Sequence, residues 1–290
     1  SWEKMMQPDL SGIVLVCPDN DPESRLILLF AYSLGMPVIR SGQGLGATLE
    51  RERGNIVELI HVTGKSEVWI VEIPGPIIEA QLRIEHLDVV IIDHHSYGEL
   101  DRSRDETGAL LPSSLEQFMT LTGITQDELI AWDFDPVVVR GIAIMDARFV
   151  QGLREEGFTH DQICRVLDYR ESCARAGFPD FDKAQEAARQ AWKNRRFIGD
   201  YTIVVSQDKV PIRGAVSTIT IYENCDTQPL IVVDKGGAEI FVQNVDPSVT
   251  LLLKSTFPEG FTFGEGRCWG VNNEKSRTHY TLDHILGVLS

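Results

Sequence analysis

Asp93, His94 and His95 follow directly on the run Val89, Val90, Ile91 and Ile92. A short β-branched run reads as a buried strand, and one that ends on a carboxylate and two imidazoles must supply them with a partner, because such groups are costly to bury alone. Two more apolar runs end in acid: "GIVLVC" leads into Asp19 and Asp21, and "EVWIVEI" contains Glu72. Carboxylates and an imidazole gathered at one place repel one another unless divalent cations neutralise them. Oxygen donors with one histidine suit Mn²⁺ or Mg²⁺ better than a structural zinc, which prefers Cys and more His. Plainer roles stand beside this one. Asp21 before Pro22 is placed to cap a helix, Glu72 is a loop acid before the rigid "PGP" turn, and Asp93 is a strand-end cap.

The elements that would position these groups are legible around them. Between the three apolar runs lie segments of helical length such as "PESRLILLFAYSLG", and this alternation predicts an α/β domain with a parallel sheet flanked by helices. In an open parallel sheet, ligands gather at the carboxyl ends of the strands, where all these acids fall. Residues 1–155 form this first domain, and residues 156–196 read as a helical connector containing "THDQICRVLDYRESCARAG" and "FDKAQEAARQAWKNRRF". Residues 197–290 read as a smaller mixed α/β domain with strands in "DYTIVVS", "STITIYE", "PLIVVDKG", "AEIFVQN" and "VTLLLKS", then a helix near "TLDHILGVL". A cleft between the two domains is expected.

Composition narrows the function classes. The 290 residues carry 27 Lys and Arg against 43 Asp and Glu, a net charge of −16 that repels long duplex nucleic acid. Five cysteines without a Cys-x-x-Cys pair argue against a disulfide framework and fit a reducing cytoplasm. The opening "SWEKMMQPDL" has no basic segment followed by an apolar one, and the stretch from Leu26 to Ile39 is too short and interrupted to span a bilayer, so no membrane partner is expected.

Taken together, "CPDND", Asp93-His94-His95 at a strand end and "IAIMDARF" resemble the DHH phosphoesterase superfamily, which includes exopolyphosphatase-like proteins, nanoRNA and cyclic-dinucleotide phosphodiesterases, the RecJ exonuclease and family II pyrophosphatases. The resemblance implies a two-metal hydrolase with two Mn²⁺ or Mg²⁺ ions and a C-terminal substrate domain of the DHHA1 kind. Carried over position by position, Asp19, Asp21, Glu72, His94 and Asp146 become metal ligands. Asp93 orients the histidines or completes coordination, and His95 faces the substrate phosphate. "FGEGRCWGV" stands where the family has Gly-Gly-Gly-His, so Gly264, Gly266 and Arg267 become substrate-binding residues, joined by Lys254 where relatives carry a phosphate-binding Arg. The chain departs from the pattern in three places: the leading histidine falls on Leu15, the second-motif aspartate is Glu72, and Arg267 replaces the signature histidine.

The reading is therefore a metal-dependent phosphoester hydrolase. Its substrate would be small: a short oligonucleotide, a dinucleotide, a nucleoside bisphosphate or polyphosphate. The rival is a degenerate family member that binds a nucleotide or phosphate without turning it over, and homodimerisation stays open. Weaker signals take bland readings. "SGQGLGA" is a glycine-rich turn in preference to a dinucleotide fingerprint, "KNRR" is a basic helix end, and Arg148 pairs with Asp146. His61, His86, His160, His279 and His284 are surface or packing residues.

Overall fold

The computed structural model describes residues 7–290; residues 1–6 of the opening segment considered above lie outside the described residues. The chain divides into two compact units, the first running to Gly177 and the second from Phe178 to Ser290. The boundary falls within the stretch read as a connector, so that its first helix belongs to one unit and its second to the other. Among the described residues no helix is long and apolar enough to cross a membrane.

The first unit runs β1 (Ile13–Pro18), α1 (Pro22–Ser33), β2 (Val38–Ser41), α2 (Ile56–Val62), β3 (Glu67–Val71), α3 (Pro76–Ile84) and β4 (Asp88–Ile92). A small hairpin of β5 (Ser96–Tyr97) and β6 (Leu100–Asp101) follows, then α4 (Ser114–Thr122), α5 (Gln126–Ala131), α6 (Pro136–Glu155) and α7 (His160–Gly177). The four main strands form one parallel sheet in the order β2-β1-β3-β4. The chain leaves β1 for one side and returns to its other side at β3, so the order reverses between these strands, and the crevice at their carboxyl ends is where open α/β sheets bind ligands. Side chains alternate across the sheet. Val14, Val16, Val68 and Ile70 pack with Ile56, Ile60 and Leu82 of α2 and α3. The opposite face carries Leu15 and Trp69, with Trp69 edge-on to Phe118 of α4.

Side-chain caps set where the helices nearest the site begin. Asp21 accepts from the Ser24 amide at 2.7 Å and Pro22 opens α1, as the sequence predicts. Ser113 and Glu116 form a reciprocal capping box on α4, and Asp135 caps α6. Helix α6 lies against α7 at Gly141, where a Cβ would come within 2.2 Å of Val166. That close approach fixes the helix that carries Asp146. A few residues on, α6 is broken at Phe149, whose φ of 55° lies in the left-handed region.

The second unit contains α8 (Phe181–Lys193), β7 (Arg196–Ile198), β8 (Tyr201–Val205), α9 (Arg213–Tyr222), β9 (Leu230–Asp234), β10 (Glu239–Gln243), α10 (Pro247–Thr256), β11 (Phe261–Phe263), β12 (Cys268–Asn272) and α11 (Leu282–Leu289). Its mixed sheet has the order β11-β12-β10-β9-β8-β7, with only β8 and β9 parallel. Leu230 and Val232 meet Ala188, Trp192 and Val216 of α8 and α9 on one face, while Ile231 and Val233 meet Leu253 and Ile285 of α10 and α11 on the other.

Two expected strands are helices. "STITIYE" lies in α9 and "VTLLLKS" in α10. In both, β-branched composition suggests a strand, yet the buried positions recur at helical spacing, Val216 with Thr220 and Thr250 with Leu253. Asp246 followed by Pro247 also starts α10 as a capped helix. Propensity yields here to the apolar face that the sheet can cover.

Candidate metal centre

The carboxyl ends of β1, β3 and β4 bring the chemistry together, and α6 and the first turn of α1 complete it. His94 is the centre. Its Nε2 lies 2.8 Å from Asp146 Oδ2, 3.5 Å from Glu72 Oε1 and 3.6 Å from Glu23 Oε2. All four atoms are buried, and none has a hydrogen-bond partner of acceptable geometry among the described residues. The short His94–Asp146 contact is therefore one of distance, not of alignment. Ligand-capable atoms of Glu72, His94, His95 and Asp146 lie within 4.8 Å of one another. Buried polar atoms are ordinarily satisfied, so orphans converging on one point form a cluster that could hold a cation. The donor set fits a hard divalent ion: carboxylate oxygens with one accessible imidazole nitrogen.

The electrostatics of the bare cluster agree. Burial, reinforced by the neighbouring charge of Glu72, pushes Asp21 up to about 6, and burial likewise holds Glu23 well above the ordinary carboxylate range. Burial opposes a charge on His94, but the carboxylates of Asp146, Glu23 and Glu72 outweigh it and push the imidazole up to about 12. Without a metal, a proton on His94 holds the acids together. Burial would raise Asp146 too, yet its contact with His94 keeps it below its usual value.

Asp93 does something different. Its Oδ1 accepts from the amides of His94 (2.8 Å) and His95 (3.0 Å) and faces His95 Nδ1 at 3.0 Å, while Oδ2 accepts from the Tyr97 hydroxyl at 2.9 Å. Gln117 of α4 donates to its backbone carbonyl. Both oxygens are committed, so Asp93 clamps the histidine pair from behind, with the two rings 4.2 Å apart. The Asp93 carboxylate raises His95 above its ordinary value and accepts from its Nδ1–H, which leaves Nε2 as the uncommitted ring nitrogen.

Glu72 sits in the left-handed region at φ 50°, its amide bonded to the Ile92 carbonyl across to β4. A non-glycine residue there is strained, and such strain gathers at functional sites. One oxygen of Asp19 pairs with Arg40 of β2. Leu15 is wholly buried in β1 between Val38 and Trp69 and brings no donor to the site.

The second unit holds the remaining expected residues. Gly264 and Gly266 have φ of 58° and 76° and form the tight turn between β11 and β12. Arg267 is exposed beside that turn, its amide bonded to the Gly264 carbonyl. Lys254 donates to the carbonyls of Pro258 and Gly260, closing the end of α10. Nearby, the Arg213 guanidinium lies over the rings of Phe241 and Phe263 at 5.0 and 5.3 Å, in a cleft of about 400 Å³.

Among the bland expectations, one needs correcting: Arg148 pairs with Glu155 and Glu156, not Asp146, because the break at Phe149 follows it and brings the end of α6 within its reach. The glycine-rich turn after β2 leads to a short 3₁₀ turn at Leu49–Arg51, not to the helix a dinucleotide site needs. Arg195 of "KNRR" stacks on Trp192 at 4.4 Å. Residues missed from sequence are Glu23, Arg40, Tyr97, Gln117 and Arg170, the last close enough to Asp146 and Asp21 to feel both charges. For Glu23 a signal existed. It shares a helical face with Leu26, Ile27 and Phe30, all buried, so an acid stands on an apolar stripe.

No protein-family model and no curated protein matches the chain. Among solved structures it is similar to the exonuclease RecJ bound to manganese, at 14% identity and a TM-score of 0.40 over 96% of this chain and 88% of that one. It is similar also to a pGpG-specific phosphodiesterase from Vibrio cholrae, at 10% identity and a TM-score of 0.40 over 90% and 92% of the two chains. An uncharacterized protein from Helicobacter pylori G27 matches at 14% identity and a TM-score of 0.29 over 96% and 97%. What the site can do rests on its own atoms.

Proposed function

We propose that this protein is a DHH-type, metal-dependent phosphoester hydrolase for a small phosphorylated substrate such as a short oligonucleotide, dinucleotide, nucleoside bisphosphate or polyphosphate. The observation that carries this is the convergence of Glu72 Oε1, His94 Nε2 and Asp146 Oδ2, buried without hydrogen-bond partners at a sheet's carboxyl edge. Glu72, His94 and Asp146 would hold Mn²⁺ or Mg²⁺, with Asp21 and Asp19 at the margin for a second ion. Such ions supply a nucleophilic water at neutral pH and charge stabilisation for a phosphoryl group.

The protein's own residues do the rest. His94 would have to give up its proton to hold the ion, so metal uptake would release protons. Asp93 and Tyr97 lock the histidine pair in place before substrate arrives, as catalytic preorganisation requires. His95, whose Nδ1–H is held by Asp93, donates from Nε2 to a phosphoryl oxygen as the imidazolium that the Asp93 carboxylate favours. Arg170, near Asp146 and Asp21, adds positive charge beside an acidic site that must accept a polyanion.

A binding-only reading has one observation in its favour: Arg40 already occupies an oxygen of Asp19, which the resemblance makes a metal ligand. One assay separates the two. Chelator-treated protein is titrated with Mn²⁺ and then offered a panel of phosphodiesters and phosphomonoesters. Hydrolysis that requires Mn²⁺ supports the enzyme. Ligand-induced stabilisation without turnover supports the binder, and no thermal shift up to about millimolar metal removes the metal centre altogether.

A further inference from the structure

We propose that Glu23 is a ligand of the divalent cation, supplying the donor that Leu15 cannot. This inference rests on the metal-binding reading above. Glu23 is 1% exposed, on the buried face of α1. Its Oε1 accepts from the Leu115 amide at 2.5 Å, at the start of α4. Its Oε2 has no partner and points at the His94 Nε2, Glu72 and Asp146 atoms that form the core of the cluster.

A structural role would need only the first oxygen. Accepting one helix N-terminal amide is work that a neutral Gln performs equally well, without bringing another carboxylate among Glu72 and Asp146. The single proton that His94 can carry does not compensate all three acids. A cation with several open coordination positions does, and it uses the oxygen that is otherwise unsatisfied.

The substitution also has a chemical sense. Position 15 in the first motif is where the resemblance calls for an imidazole, and Leu15 is packed into the sheet with no exposure. His95 Nδ1 is taken by Asp93, so His94 Nε2 is left as the nitrogen facing the cluster. Exchanging an imidazole at position 15 for a carboxylate at position 23 makes the donor set richer in oxygen. Such a set favours Mn²⁺ and Mg²⁺ and disfavours Zn²⁺.

The test uses the full chain, stripped with chelator, with Mn²⁺ as the probe. Calorimetry gives affinity and stoichiometry, and thermal melting reports the metal-free fold. Glu23→Gln keeps the acceptor for Leu115, so its metal-free Tm should be no lower than wild type. Its Mn²⁺ affinity should fall roughly tenfold or more, the scale felt when even an outer partner of a metal ligand is lost. Glu23→Asp retains the charge on a shorter stem and should fall between the two; it serves as the reading if Glu23→Gln does not fold. Wild-type affinity and stoichiometry in the folded variant overturns the role of Glu23 and leaves the metal centre standing. Wild-type protein that takes up no Mn²⁺ overturns both, and that outcome is seen before any variant is made.

Discussion

Buried acids beside the two main sheets of this molecule are treated in opposite ways. Asp234, at the end of β9 in the second unit, is wholly buried and accepts from the amides of Ile212, Arg213 and Lys235. At the corresponding edge of the first unit's sheet, Glu23, Glu72 and Asp146 keep oxygens with no donor at all. The same chain thus shows that it can saturate a buried carboxylate when the carboxylate is structural. Where it does not, the unmet hydrogen-bonding capacity is a property of the site. Glu79 extends the contrast within the first unit, since it accepts from the Gly75 amide and is gripped by Arg102 at 2.5 and 2.7 Å.

The contrast can be broken by substitution, and the largest effect should come from a satisfied pair. Arg102→Ala leaves Glu79 buried in the first turn of α3 without its counter-ion, and a broken buried pair costs about 3–5 kcal/mol. Urea unfolding followed by tryptophan fluorescence should show that loss; an unchanged midpoint would mean that the pair is decorative. Asp234→Ala orphans three backbone donors and should cost about 3 kcal/mol, with Asp234→Asn retaining part of it. Glu72→Gln is the counterpart in the unsatisfied region. It should change metal-free stability by less than about 1 kcal/mol while removing most of the stabilisation by Mn²⁺. If Glu72→Gln instead unfolds the protein as Asp234→Ala is expected to, the two regions are not different in kind.

How much of this was legible in the sequence follows the same division. The strand-end acids and histidines are readable because β1, β3 and β4 are short apolar runs whose ends are marked by charge. Their convergence follows from a parallel sheet. Glu23 was not readable in that way, since an acid in the first turn of a helix ordinarily complements the helix dipole and needs no other reason. Arg40 and Gln117 lie far along the chain from their partners, Asp19 and Asp93, and only tertiary packing joins them. In the second unit the sheet strands were legible, but α9 and α10 were not, because Ile, Val, Thr and Leu runs carry both periodicities and the neighbouring sheet decides between them.

The smallest expected effect sharpens the comparison by pH. Asp21 is raised from 3.8 to about 6 in the folded protein. An acid raised on folding stabilises most below its unfolded value, and that contribution is lost as pH climbs through the folded one. Metal-free protein should therefore lose stability between about pH 4 and about pH 6, and in the same window Mn²⁺ should bind more tightly as protons leave its ligands. Melting curves with and without Mn²⁺ should diverge as pH rises. Parallel curves would mean that protons and metal do not compete for the same atoms.

The clamp around Asp93 has a consequence in time. One carboxylate holds two backbone amides, an imidazole and a phenol, and its own carbonyl is held from α4, so the His94–His95 pair is fastened at several points to the end of β4. The ring of His95 cannot turn over without breaking its bond to Asp93. Its tautomer is thus chosen once, when the strand docks, and is not chosen again at each encounter with a substrate. Such a ring should give a single slowly exchanging set of imidazole resonances.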